Sequence, residues 1–176
     1  MQQEYANAID IYGIMLTNNP TDAQTYRARG FAFQLSGKYQ SALSDYTSAL
    51  DLAPDAATAW ACVAMRQTIL REGKKPQVGD AELAGLFERA GFESLLAGDF
   101  ENARRGFQSC ENRYPQYHSV NEVLHLIQNP RIDWADPEQR RQIFQAIVSN
   151  YSYHLPPGLL DRLKAAAQDS KPTSLK

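Results

Sequence analysis

Reading backward from Pro54, the chain places Ala49, Tyr46, Ala42, Tyr39, Gly37, Phe33, Gly30 and Tyr26 at fixed offsets. The same offsets taken from Pro115 give Cys110, Phe107, Ala103, Phe100, Gly98, Ser94, Gly91 and Phe87. Six of the eight keep their type, small for small or aromatic for aromatic, and the Cys and Ser replacements are small as well. From Pro20, which lies 34 residues before Pro54, the rule returns Met15, Tyr12, Ala8 and Tyr5. Such a pattern constrains folding strongly. Gly30 with Ala42, and Gly91 with Ala103, are small where two helix backbones must approach closely, while Tyr26, Tyr39 and Tyr46 are large where a gap between helix pairs must be filled. Gly37 and Gly98 supply turns, and Pro54 and Pro115 end the helices before them.

The spacing and residue types resemble the tetratricopeptide repeat, in which about 34 residues make a helix, a tight turn and an antiparallel second helix. Residues 23–56 carry the pattern in full and residues 84–117 nearly so. The resemblance implies an all-α fold, a helical-hairpin solenoid with two near-complete repeats plus a half repeat (1–20) and an irregular shortened one (57–83). Residues 1–130 form this array, helices in 131–168 cap it, and 169–176 read as a disordered tail. Helices are expected at 2–17, 22–36, 39–52, 56–71, 81–97, 100–113, 119–128, 137–152 and 158–168, and no segment reads as strand. Thr21 with Gln24 and Ser119 with Glu122 read as capping boxes. Asp136-Pro137 with Gln139 supplies an N-cap, a proline at the first helical position and a partner two residues on.

The array is irregular in its middle. Pro54 and Pro115 lie 61 residues apart, seven short of two repeats. After the helix carrying Trp60, Val63 and Ala64 comes "GKKPQVGD", residues 73–80, which lacks an apolar period. These residues can reach at most ~26–29 Å, against ~24 Å for a 16-residue helix. They either run back along the helix or turn tightly and make 81–97 the missing second helix. A stretched loop buries little, which favours the tight turn and a break in the superhelix. At the start, Tyr5, Ile9, Ile11 and Tyr12 belong to a second helix with no first helix to cover it, so self-association through this helix, or a fragment cut inside a repeat, is expected. Ile143, Phe144, Ile147 and Tyr151 recur at helical spacing in the capping region.

Composition narrows the function classes. A net charge of −2 with 22% charged residues leaves no basic excess for nucleic acid. The apolar runs fall far short of the ~20 residues of a membrane span, and "MQQEYANAID" has no signal-peptide form, so a cytoplasmic location is expected. Cys62 and Cys110 read as small core residues. His118, His125 and His154 complete no metal-ligand spacing, and no phosphate loop or nucleophile motif occurs. No catalytic residue, metal or cofactor is assigned. "LREGKKPQ" reads as a solvated loop, and the Asn150-Tyr151-Ser152 sequon falls in a helix.

Binding is the expected role. In the repeat family the first helices line a concave groove, and its positions fall here on Gln24, Arg27, Phe31, Gln34 and Leu35, then Thr58, Ala61, Met65, Thr68 and Ile69, then Gly85, Glu88, Phe92, Leu95 and Leu96. The subfamily that grips the C-terminal carboxylate of chaperone tails needs polar donors where this chain has Phe31, Met65 and Phe92, so that activity is not implied. An apolar groove suits an amphipathic helix or an extended apolar segment of another protein, with Arg27 and Glu88 at the rim. The expectation is a non-enzymatic adaptor or scaffold; the alternatives are a small chaperone of secreted effector or translocator proteins, or a domain of a larger protein. A competing possibility is that "PPGLLDRLKAAAQ" lays Leu159, Leu160 and Leu163 into the chain's own groove.

Overall fold

A computed structural model of the chain describes residues 2–113, 118–151, 155 and 157–168. They are all-helical: α1 (Gln2–Asn18), α2 (Ala23–Leu35), α3 (Tyr39–Leu52), α4 (Ala56–Glu72), α5 (Ala81–Leu96), α6 (Phe100–Arg113), α7 (His118–Ile127), α8 (Pro137–Tyr151) and α9 (Pro157–Gln168). No strand occurs among the described residues. The expected tail, His154, Pro115 and Ser152 lie outside them.

Caps explain where the helices begin. Asp22, in extended backbone, accepts from the Gln24 amide at 3.0 Å and from the Thr25 hydroxyl at 2.6 Å. The cap is therefore Asp22 rather than Thr21, whose hydroxyl turns away to Asn19; a carboxylate one residue closer to the helix outcompetes the hydroxyl. The Thr25 hydrogen bond, first among several, holds the Asp22 carboxyl below its ordinary range. α7 opens at His118, so Ser119 falls inside the first turn rather than before it. Asp136 does cap α8, accepting from the Glu138 amide at 2.8 Å and the Gln139 side chain at 2.9 Å. The Gln139 side chain reaches back to the Asp133 amide instead of closing the box on residue 136.

Two helix pairs are built on the small and aromatic positions. α2 and α3 run antiparallel across a short turn in which Gly37 has φ +75°, a left-handed conformation open to glycine. Gly30 lies under the Tyr46 ring, where an added Cβ would stand 3.1 Å from it. α5 and α6 repeat the arrangement around Gly98, φ +79°. There the approach is closer: a Cβ on Gly91 would come within 2.7 Å of the Phe107 ring, and one on Gly106 within 2.8 Å of the Gly91 backbone. Phe92 packs edge-on to Phe107, with ring centres 4.9 Å apart.

The segment 73–80 turns tightly. Trp60 near the start of α4 donates to the Ser94 hydroxyl near the end of α5 at 3.0 Å, and Arg66 further along α4 pairs with Asp80, the cap of α5, at 2.7 Å. α4 and α5 therefore run antiparallel. The Gly79 amide donates to the Arg113 carbonyl at 2.9 Å, fastening the turn to the end of α6. Trp60 also meets Phe87 edge-on at 6.0 Å and carries the Arg105 guanidinium over its ring, so one side chain touches α4, α5 and α6.

Among the described residues an apolar core runs from Ala42 to Ala167. Beyond α6, Val120, Val123, Ile143, Phe144 and Ile147 bury the inner faces of α7 and α8. Trp134 stacks on Phe100 at 4.1 Å. Leu163 of α9 is fully buried, with Leu159 and Leu160 packed at the core margin. None of the described helices is long and apolar enough to cross a membrane.

Candidate functional site

The candidate groove residues divide into an open surface, a set committed to internal contacts, and a set covered by the chain itself. On α2, Phe31 is 54% exposed and Leu35 44% exposed, one turn apart on the same face. Gln24 is exposed as well. Arg27 is not a free rim residue. Its guanidinium donates to Thr58 Oγ1 at 2.8 Å, to the Ala53 carbonyl at 2.6 Å and to Asp55 at 2.6 Å, tying α2 to the corner between α3 and α4. Asp55 is also the cap of α4; burial raises its carboxyl, but the hydrogen bonds from Thr58 together with the Arg27 guanidinium bring it below its ordinary value. Gln34 accepts from the Tyr46 hydroxyl at 2.9 Å and is likewise engaged.

On α4, Met65 is 4% exposed and Thr58 4% exposed, so both belong to the core between helices rather than to an open groove. Ala61 and Ile69 are half-buried against that core. The physical reason is the missing helix: α5 turns back onto α4, and side chains spaced to face a groove are buried between α4 and its neighbours.

On α5, Leu95 and Phe92 are 1% and 2% exposed. α9 lies over this face. Arg162 donates to both carboxylate oxygens of Glu93, at 2.7 and 2.6 Å. Gly85, Glu88 and Phe92, with Leu155, Gly158, Leu159 and Arg162 and with Asp51 and Pro54, line a partly open cavity of about 460 Å³ between α5 and α9. Leu96 sits in a second, smaller space between α5, α8 and α9. Glu88 stands half-buried in the larger cavity, and desolvation pushes its carboxyl up to about 7. Arg89 beside it donates to Asp51 at 2.8 Å and to the Leu50 carbonyl at 3.1 Å.

Glu93 and Arg162 are the residues that repeat reading misses. They are 69 positions apart, and no spacing rule links them. The signal present was a glutamate inside the apolar run "AGFESLL", which places one charge among core positions.

The two cysteines are buried, Cys62 with its thiol pushed up to about 11 and Cys110 to about 12, in both cases chiefly by desolvation. Neither is poised as a nucleophile. His125 is exposed. Comparison of the chain with protein-family models, with curated proteins and with solved structures gave no match. The family resemblance therefore stands on the residues quoted above.

Proposed function

We propose that the chain is a non-enzymatic protein-interaction module of the tetratricopeptide type, holding an apolar segment of a partner protein against the open face of α2. One observation carries this reading. Phe31 and Leu35 are large, apolar and half exposed on a helix whose other sides are occupied by α1 and α3, and a soluble chain has little reason to leave an aromatic and a leucine side by side in water. The hairpins support the family reading, with Gly30 under Tyr46 and Gly91 under Phe107. Apolar side chains at i and i+4 suit an amphipathic helix or an extended apolar peptide.

The test compares wild type with the Phe31→Glu, Leu35→Glu double variant in co-purification from native lysate, with a photo-crosslinking residue placed at Gln24 to mark direct contact. Both positions are exposed, so circular dichroism should show an unchanged fold. Loss of a crosslinked partner in the variant supports the reading. A partner retained at full yield places the interaction elsewhere on the chain.

A further inference from the structure

The cavity between α5 and α9 holds a carboxyl that no cation of the described residues pairs with. Glu88 enters it from α5, and among the described residues no cation forms an ion pair with its carboxylate. The two cations on the same walls are committed, Arg89 to Asp51 and Arg162 to both oxygens of Glu93. Phe92, Leu155 and Leu159 make the wall apolar, and Gly158 faces the space without a side chain: a Cβ built there meets nothing within 4 Å. With Glu88 ionised, Asp51, Glu88 and Glu93 against Arg89 and Arg162 leave one negative charge unmet. An anion would worsen that balance, and an uncharged apolar ligand would strip more water from the carboxylate without replacing it. A monovalent cation on an apolar body satisfies both the charge and the wall.

We propose that this cavity binds a primary ammonium group on an aliphatic stem, with the nitrogen at Glu88 and the stem along Phe92, Leu155 and Leu159. The site stands apart from the α2 surface and holds whether or not that surface takes a peptide. The same chemistry is carried by a free aliphatic amine and by a lysine side chain of another protein. The elevated carboxyl of Glu88 agrees with a desolvated group lacking a partner, and binding is strongest above pH ~7, where the group is ionised. The titratable and charged groups around it are Asp51 from α3, Arg89 and Glu93 from α5, Cys110 from α6 and Arg162 from α9.

The experiment titrates the full chain at pH 8 with n-hexylammonium chloride, followed by calorimetry and by amide chemical shifts, with 1-hexanol as the neutral counterpart. Saturable binding of the amine is expected, weakened about tenfold or more by Glu88→Gln, by lowering the pH to 5.5, and by exchange for hexanol. Gly158→Leu, which fills the space and keeps the charge, is expected to block it as well. No saturable binding to the folded wild type overturns the proposal. So does hexanol binding as tightly as the amine, or affinity unchanged by both variants. Nα-acetyl-lysine amide binding more tightly than hexylammonium assigns the site to a partner's lysine; the reverse order assigns it to a free amine.

Discussion

Arg162 of α9 holds both carboxylate oxygens of Glu93 on α5, and the Glu93 side chain is only 2% exposed where they meet. A carboxylate that deep is tolerable because it is gripped by a two-pronged donor. Removing the arginine leaves it unanswered. Arg162→Ala should lower stability by about 2–3 kcal/mol, below the full value for a buried pair because the arginine is partly exposed. Urea unfolding gives the loss, and hydrogen exchange should show it concentrated in α9. Glu93→Gln with Arg162 intact should cost less.

Glycines at the α5–α6 crossing should be intolerant. Gly106→Ala drives a Cβ to 2.8 Å from the Gly91 backbone and the Phe87 carbonyl, neither of which can step aside, and Gly91→Ala meets the Phe107 ring. Each should destabilise by about 1–3 kcal/mol or more. Gly158→Ala has open space and should be neutral or slightly stabilising, by up to ~1 kcal/mol. Thermal melts of the three variants side by side test the contrast.

Glu88 should make stability depend on pH in the direction opposite to most carboxylates. Its folded value, about 7, lies above the ordinary 4.5, so between those pH values the folded chain holds a proton that the unfolded chain has released. Stability from this group therefore falls as pH rises from about 4.5 to about 7 and is level beyond. Glu88→Gln should remove that slope and raise stability at pH 8 by about 2–3 kcal/mol. Urea midpoints at pH 5 and pH 8 for both proteins decide it.

Asp80 joins the tight turn to α4, accepting from the Leu83 amide at 2.8 Å and pairing with Arg66. The Arg66 hydrogen bond, reinforced by the cap, holds its carboxyl below 3.8. Its contribution is thus complete above pH ~4 and lost as the pH falls through its depressed folded value. Asp80→Ala should cost about 2 kcal/mol, one part for the cap and one for the pair, read as a shift in urea midpoint at pH 7 that shrinks in strong acid.

Cys62 and Cys110 should react slowly with a thiol-specific disulfide reagent at pH 8 in the folded chain. Both are buried and hold their protons to about pH 11 and 12, so modification requires opening. The rate should rise to that of free cysteine in denaturant.

Much of the helix layout is legible because the chain is punctuated. Gly37 and Gly98 open the turns and Pro54 follows a helix end, so the expected 39–52 and 100–113 are the observed α3 and α6. The start of α2 is harder to read, since Thr21 and Asp22 are adjacent and both able to cap, and only geometry shows which oxygen reaches the Gln24 amide. The residues expected to line a groove do not share one environment. Phe31 and Leu35 are exposed, whereas Met65, Phe92 and Leu95 are buried by neighbours that repeat offsets cannot foresee. Leu159, Leu160 and Leu163 do announce an apolar stripe on α9 seeking a seat. That α9 packs chiefly against α8 and reaches α5 through Arg162 and Glu93 depends on the path of the chain between α6 and α9, to which local periodicity is blind.

α5 packs with α4, α6 and α9 at once, because the short turn at 73–80 makes one helix serve two hairpins. In a regular array each unit touches only its neighbours, and the ends can peel away one unit at a time. Here α5 cannot leave α4 without also deserting α6 and α9. The irregularity in the middle of the chain therefore works as a keystone: it exchanges the graded fraying of a repeat stack for a cooperative block, with α1, packed on α2, outside it.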